Sequence, residues 1–107
     1  MELKQYHIAI VNLEPTLGSE IKKTRPCVII SPDVMNKYLN TIVIAPITNV
    51  QKKYPTRVEV KNKNAKGQIA LDQIRTIDRV RIINLFNSIS EKEILSVKQV
   101  LKETYVD

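Results

Sequence analysis

Three residues of this sequence have side chains suited to phosphate chemistry: Arg25, Glu20 and Thr48. The guanidinium of Arg25 is planar and permanently charged, which suits a phosphate group, and Pro26 restricts the backbone beside it. Glu20 is a candidate base in the same segment, and Thr48, directly after an apolar run, offers a hydroxyl that can hydrogen-bond a phosphate oxygen. A base, a cation and a hydroxyl donor meet the needs of metal-free RNA cleavage, in which the 2′-hydroxyl of the substrate is the nucleophile.

The same residues also fit purely structural roles. Residues 18–26 contain both charge signs, so Arg25 and Glu20 would form an ordinary surface ion pair, which contributes little to stability. Thr48 follows Pro46 and Ile47 and would equally well close a turn. Because closeness in the chain does not establish closeness in space, the sequence leaves both interpretations open.

A second acidic candidate, Asp72, is followed by Gln73 at the end of the apolar run 69–71. The end of a strand would present both side chains to a groove, where binding and catalytic groups commonly lie. The alternative is that Asp72 caps a turn or pairs with Arg75.

A basic loop follows Thr48 and carries Lys52, Lys53 and the aromatic Tyr54. Cationic and aromatic side chains in one loop suit single-stranded nucleic acid, through contacts to its backbone and stacking on its bases. A solvated charged loop is the alternative, and the sequence does not separate the two.

The chain has 107 residues, 43% of them hydrophobic, which predicts a single domain over residues 1–107 with one core. The net charge is +6, from 17 basic and 11 acidic residues, and nine basic against three acidic residues lie within 51–89. This excess favours a polyanionic partner such as RNA, although soluble proteins without such a partner also show it.

The sequence contains one cysteine, Cys27, and one histidine, His7. This excludes a disulfide framework and the usual zinc spacings, so we expect no metal site and no cofactor. We expect Cys27 in the core and His7 in a half-exposed structural position. The sequence has no signal-peptide pattern and no apolar stretch of membrane-spanning length, which predicts a cytoplasmic protein with no membrane partner.

The elements that would position these side chains are mostly short strands, because apolar and β-branched residues cluster in runs bounded by Gly, Pro, Asn and Asp. The predicted strands cover residues 6–13, 27–31, 41–47, 56–61, 68–71 and 74–77. A single helical turn within residues 31–38 is predicted to be capped by Ser31 or Asp33. Ser90 and Glu93 fit a capping box before an amphipathic C-terminal helix. The predicted fold is mainly β with α, a small curled barrel on which the terminal helix packs.

An ordered set of motifs, PTLGSE, RP, VIISPDVMN, IAPIT and LDQIRTIDRVR, resembles the MazF/PemK (Kid-like) toxins of type II toxin-antitoxin systems. The resemblance spans about residues 8–104, and the order of the motifs is far more specific than any one of them. It implies an SH3-like β-barrel with a C-terminal helix, a homodimer, and an mRNA interferase. Such an enzyme is a sequence-specific, metal-independent endoribonuclease that leaves 2′,3′-cyclic phosphate and 5′-hydroxyl ends. The resemblance also implies a cognate acidic antitoxin that blocks the RNA groove.

The resemblance further assigns residues to roles. Arg25 and Thr48 fall where the family has its central catalytic pair, and Glu20 falls on its loop carboxylate. The other matched positions would contact RNA or set its sequence preference: Ser19, which is a histidine in some members, Lys52, Lys53, Asp72 and Gln73. The chain departs from the family at two places. A Tyr-His pair, residues 6–7, replaces a Gly-Asp pair, and residues 87–88 replace a glycine before the last helix.

Two alternatives belong to other functional classes. A non-catalytic toxin of the same barrel fold would inhibit DNA gyrase through protein contacts, and Arg25 and Thr48 would then have no role. An RNA-binding barrel would bind RNA with a steep salt dependence and leave every phosphodiester intact.

Overall fold

The structure is a computed structural model that describes residues 2–13 and 24–107. Its strands are β1 (His7–Asn12), β2 (Thr24–Ile29), β3 (Thr41–Thr48), β4 (Arg57–Asn62), β5 (Ala65–Ala70), β6 (Arg75–Asp78) and β7 (Ile82–Ser88). Its helices are α1 (Asp33–Tyr38) and α2 (Glu91–Tyr105), and two 3₁₀ turns, Leu71–Gln73 and Arg79–Arg81, flank β6. Within the described ranges the strands form an antiparallel sheet in the order β4-β5-β3-β2-β1-β7, and β6 also pairs with β3. The predicted mainly β fold, a curled sheet with an inserted helix and a C-terminal helix, is confirmed.

Apolar side chains cover both faces of the sheet and form two clusters. The central strand β3 contributes residues to both. Ala45 and Ile47 belong to the first cluster, whereas Ile42 and Ile44 belong to the second. Successive side chains of a strand point to opposite faces, so this division follows from the uninterrupted apolar run in the sequence. This alternation matters for the site, because Thr48, at the end of β3, lies on the same face as Ile42 and Ile44.

Helix α2 begins with the predicted capping box. The hydroxyl of Ser90 accepts the N–H of Glu93 at 3.1 Å, and the Glu93 carboxylate accepts the N–H of Ser90 at 2.9 Å. Val97 is fully buried in the first cluster, and the hydroxyl of Tyr105 donates to the carbonyl of Leu71 at 2.6 Å. These contacts hold α2 against the end of β5. Neither helix of the described residues is long and apolar enough to cross a bilayer.

The cap predicted for α1 is wrong. Pro32 occupies the N-cap and no side chain caps the helix. The hydroxyl of Ser31 instead donates to the side chain of the buried Asn36 and accepts the N–H of Val43. The carboxylate of Asp33 accepts a backbone N–H from the N-terminal segment, that of Gln5 at 2.7 Å. Both side chains that would have capped the helix are therefore engaged by other partners, which lie in β3, in the N-terminal segment and on the helix side chain of Asn36.

Two strands begin several residues earlier than predicted, and a further strand was not predicted. β2 begins at Thr24, earlier than predicted, and β5 begins at Ala65, because the polar residues before Gln68 continue the pairing with β4. β7 was not predicted at all. Its residues are mostly exposed or half-buried, and it lies at the edge of the sheet beside β1, so the sequence lacks the alternating apolar pattern of a core strand.

Tyr6 has a φ of 68°, in the left-handed region that glycine adopts most easily. Two backbone hydrogen bonds hold it there: its N–H donates to Ile29 at 2.6 Å, and its carbonyl accepts from Ile89 at 3.0 Å. The second bond also fixes the turn before α2. The chain thus builds both the entry to β1 and this turn without glycine.

Candidate active site

Arg25 and Thr48 lie at the ends of adjacent strands. The pairing of β2 with β3 includes Cys27 opposite Pro46, and the same register carried two residues further sets Arg25 opposite Thr48. Residues two apart along a strand share a face. The side chains of Arg25 and Thr48 therefore lie on the face of the second apolar cluster, just outside the cluster itself. Arg25 and Thr48 are each half-buried. The pairing of the two strands ends at Cys27 and Pro46, and each of the two predicted residues lies two positions beyond it on the same face.

A second guanidinium lies on the same face. Arg75 in β6 pairs with Ile44 of β3, which in turn pairs with Ile29 of β2. Burial raises the pKa of the Cys27 thiol to about 12, and the positive charges of Arg25 and Arg75 oppose that rise. Both arginines are therefore close enough to act on Cys27 electrostatically, and the thiol stays protonated. Two cations on the face that carries the Thr48 hydroxyl suit an anionic ligand such as a phosphate.

The hydroxyl of Thr48 is oriented by its own loop. Its Oγ1 accepts the N–H of Val50 at 3.1 Å, and among the described residues it donates to none. One lone pair is therefore engaged, and no acceptor in residues 2–13 or 24–107 takes the hydroxyl proton. This is the state expected of a donor to a phosphate.

Two of the predicted site residues, Glu20 and Ser19, lie outside the described residues. Their assignment to catalysis and RNA binding stays a prediction.

A buried glutamine that the sequence analysis did not single out holds the β3–β4 loop. Gln68, opposite Thr48 in the ladder, is 7% exposed. Its Oε1 accepts the N–H of Lys52 at 3.0 Å, and its Nε2 donates to the carbonyl of Lys52 at 3.0 Å. The backbone of Lys52 is thus clamped, while the side chains of Lys52 and Lys53 are exposed. The loop presents its predicted cations from a fixed point next to Thr48.

Replacing Gln68 with methionine is expected to loosen this loop without unfolding the sheet. Both hydrogen bonds to Lys52 are lost, together with the one to Glu59, and the loss of the two to the loop lowers its local opening free energy by about 1–2 kcal/mol and speeds tryptic cleavage after Lys52 and Lys53 about 5- to 30-fold. The matched control is Gln99→Met, because Gln99 is exposed on α2 and its amide donates only to the side chain of Glu103. Equal digestion rates for Gln68→Met and Gln99→Met would contradict the clamp.

Asp72 belongs to an ion pair that the sequence did not predict. Its carboxylate accepts from Nε and Nη2 of Arg57 at 2.9 and 3.3 Å, and from the hydroxyl of Thr56 at 2.9 Å. The partner suggested by the sequence, Arg75, forms no ion pair with it in the described part of the chain. The hydrogen bond from Arg57 is the main reason why the pKa of Asp72 lies below its ordinary value. Asp72 is therefore held ionised and is a weak proton acceptor.

The Asp72 pair also organises its surroundings. The side chain of Arg57 is only 6% exposed, and its guanidinium lies over the ring of Tyr54, 5.1 Å from the centroid. Gln73 follows at the end of the 3₁₀ turn and is exposed. Asp72 and Gln73 thus lie beyond the end of β5, with the aromatic residue of the β3–β4 loop beside them.

Cys27 and His7 have the structural positions that were predicted. Cys27 is fully buried, and Nδ1 of the half-buried His7 lies 3.0 Å from the carbonyl oxygen of Phe86. Within residues 2–13 and 24–107, no three His, Cys, Asp or Glu side chains are grouped so that they would hold a metal ion.

Sequence reasoning missed Gln68, Glu59 and Arg75 as members of the site face. Glu59 pairs with Gln68 across β4 and β5, so a polar row runs from Glu59 through Gln68 to Thr48. The alternating pattern of β4 predicts that Glu59 is exposed, but the pairing of three strands depends on register that the sequence does not reveal. The only sequence feature that linked Arg75 to the site was its position two residues after Gln73.

Residues 4–105 match the family model described as PemK-like, MazF-like toxin of type II toxin-antitoxin system. The chain is 36% identical over 105 residues to Endoribonuclease MazF of Staphylococcus epidermidis, in an alignment that covers 92% of this chain and 88% of that protein.

Solved structures share the fold. A MazE-MazF crystal structure from Deinococcus radiodurans superposes with a TM-score of 0.85 at 23% identity, covering 96% of this chain and 95% of that one. An endoribonuclease from Mycobacterial species, solved in complex with its cognate antitoxin, gives a TM-score of 0.78 at 16% identity, with 94% and 91% covered. At these identities the structural likeness concerns the fold alone.

Proposed function

The chain belongs to the PemK-like, MazF-like toxins of type II toxin-antitoxin systems and is an endoribonuclease, and we propose that it cuts single-stranded RNA at specific sequences by attack of the substrate's own 2′-hydroxyl. The observation that supports this mechanism is the position of Arg25 and Thr48 on one face, at the ends of adjacent strands. We further propose that residues 1–107 act as a single toxin domain, since the family model spans nearly all of them.

In the proposed reaction the 2′-oxygen loses its proton to a base and forms a bond to phosphorus. The bond from phosphorus to the 5′-oxygen breaks, and that oxygen takes up one proton by exchange with solvent, which balances the proton that the base removed and later returns. The products are a 2′,3′-cyclic phosphate and a 5′-hydroxyl, so no water, metal or cofactor enters the step. Glu20 is the proposed base, because Asp72 is already committed to Arg57.

The side chains of the described face would stabilise the charge that develops on the phosphate. Arg25 can donate two parallel hydrogen bonds to the equatorial oxygens, and Arg75, whose charge also acts on Cys27, would add to the positive potential of this face. Thr48 has a hydroxyl proton to donate to the same group, since its oxygen already accepts from Val50. Fixed donors of this kind stabilise a transition state more than the ground state.

Recognition of the RNA sequence would come from residues around this centre. Lys52 and Lys53 project from the clamped loop, Asp72 and Gln73 lie at the end of β5, and Ser19 belongs to the segment of the proposed base. Charged groups position a strand by its phosphates, whereas carboxamide and carboxylate groups can read base edges.

We propose two protein partners and a location by family membership. The chain would form a homodimer, and a cognate acidic antitoxin would occupy the RNA groove, as a solved relative is described in complex with its cognate antitoxin. Because mRNA is the proposed substrate, the cytoplasm is the proposed site of action.

The chemistry of the product ends tests this function. Purified protein is incubated with long single-stranded RNA in excess chelator, and the new ends are characterised. We expect cleavage at a repeated short sequence, with 5′-hydroxyl ends that a polynucleotide kinase labels without prior phosphatase treatment. Products with 5′-phosphate ends, or complete inhibition by the chelator, would contradict the mechanism. Inhibition of gyrase supercoiling with intact RNA would assign the chain to the binding class of toxin instead.

A further inference from the structure

The β4–β5 hairpin sets two lysines directly opposite each other on the face of the active site. Lys61 pairs with Lys66, Glu59 pairs with Gln68, and Gln68 pairs with Thr48. Paired residues share a face, as do alternate residues of one strand, so Lys61 and Lys66 lie on the face of Thr48. Lys66 is the diagonal neighbour of Thr48, for which sheet geometry gives a Cα separation of about 7–8 Å.

This lysine pair is electrostatically unfavourable in the free protein. Like charges directly opposed across an antiparallel pair are destabilising. No residue in the described ranges forms an ion pair with either ammonium group. Glu59, their neighbour on the same face, accepts from Nε2 of Gln68 at 3.4 Å. An anion bound between Lys61 and Lys66 would remove the repulsion, and such local conflicts with folding are expected at functional sites.

The two lysines line a groove of about 600 Å³ between the hairpin and the β3–β4 loop. Its lining also includes Lys63 and the carboxamides of Asn49 and Gln51. Both walls are held in place, since the clamp on Lys52 fixes the loop and the backbone N–H of Lys61 donates to Glu93 of α2 at 2.9 Å. Ammonium and carboxamide donors in a fixed groove complement the phosphates and base edges of a single strand.

We propose that Lys61 and Lys66 together bind one backbone phosphate of the RNA, outside the linkage that is cut. This subsite rests on the proposed endoribonuclease function and extends its substrate contacts along the hairpin. RNA is favoured over an acidic protein segment because the lysines share a face and a strand ladder with Thr48. A strand whose cut linkage lies at Thr48 passes directly beside them.

The test uses the double variant Lys61→Gln/Lys66→Gln and, as a control with the same charge change, Lys98→Gln/Lys102→Gln, whose lysines are exposed on α2. The ligand is an RNA of the mapped cleavage sequence with a 2′-deoxy nucleotide at the cut, which removes the nucleophile. We expect the hairpin variant to bind this RNA about 10-fold more weakly, because it loses a charged contact to one phosphate. The slope of log K against log salt should become shallower by about 0.7, the value for one single-strand phosphate.

Two further measurements locate the contact and check folding. Neutral methylphosphonates are introduced one at a time; one position near the cut should weaken binding of wild type and control but not of the hairpin variant. On cleavable RNA the variant should show a raised KM with unchanged kcat, because the contact is made equally in the ground and transition states. Its Tm should equal or exceed that of wild type, since a repulsion is removed.

The outcomes separate the subsite from the function on which it rests. If wild type cuts RNA but all three proteins bind with the same slope, the lysine subsite is wrong and the endoribonuclease function stands. If wild type neither cuts nor binds RNA, the proposed function fails and the subsite fails with it. If the hairpin variant loses only its binding to an oligoglutamate peptide, the lysines serve a protein partner and the RNA subsite is overturned.

Discussion

Replacement of Arg25 by alanine is expected to lower kcat for RNA cleavage by about 100-fold or more, the effect of removing one fixed donor from a developing negative charge. Binding of RNA should weaken much less, because the loop and hairpin lysines still attract the strand. The kcat of Arg25→Lys should lie between those of wild type and Arg25→Ala, since lysine keeps the charge but lacks the planar fork that engages two oxygens at once. The measurement is single-turnover cleavage in the presence of a chelator.

The control for Arg25→Ala is protein stability. Among the described residues the Arg25 guanidinium forms no ion pair, and Arg25→Ala leaves its backbone pairing with Val11 of β1 in place. Thermal unfolding should therefore change little, and a loss of activity would reflect chemistry. Cleavage by Arg25→Ala at the wild-type rate would exclude Arg25 from the reaction.

Gly67→Ala is expected to destabilise the protein strongly, because it adds a methyl group where the backbone of Thr48 leaves no space. Gly67 has a φ of 143°, and a Cβ built there would lie 2.3 Å from the carbonyl oxygen of Thr48 and 3.0 Å from its carbonyl carbon. Neither atom belongs to a flexible side chain, so the backbone of Thr48 must move. The strain and the clash together should destabilise the protein by about 3 kcal/mol, measured by urea unfolding.

The displacement of the Thr48 backbone should also lower the rate of RNA cleavage, because it would move the Thr48 hydroxyl away from Arg25. Any Gly67→Ala protein that remains folded at low temperature should therefore cut RNA more slowly per folded molecule. Lys63→Ala, in the exposed turn of the same hairpin, is the control for stability and should stay within about 0.5 kcal/mol of wild type. A Gly67→Ala protein as stable as Lys63→Ala would contradict the close approach of β5 to Thr48.

The elements whose patterns are local were predictable from the sequence. The apolar run of β3, the alternation of β4 and the Ser90–Glu93 capping box each carry their own signal within a few residues, and each is confirmed. β7 has no such signal, because its exposed edge position removes the apolar pattern. The cap of α1 failed for a related reason: the hydroxyl of Ser31 bonds the distant Val43 and the side chain of Asn36, and it caps no backbone N–H of the helix.

The site was predictable only as residue types. Arg25 and Thr48 were named from their chemistry and from motif order, but their common face follows from the register of β2 on β3. Gln68 looks like an ordinary strand residue until its amide is seen to bind both backbone groups of Lys52. Asp72 was paired with the wrong arginine, because Arg57 is distant in the chain and reaches it only through the β4–β5 pairing. Long-range register is the information that local patterns lack.

The most direct test of a shared phosphate site is a double-mutant cycle on kcat/KM for RNA cleavage, with Arg25→Ala, Thr48→Val and the double variant. Because both groups act on the same phosphate, we predict that the double variant is no more than slightly worse than Arg25→Ala, which gives a coupling energy of about 1 kcal/mol or more. Effects that add within about 0.5 kcal/mol would show that the two side chains act independently and would contradict the proposed site.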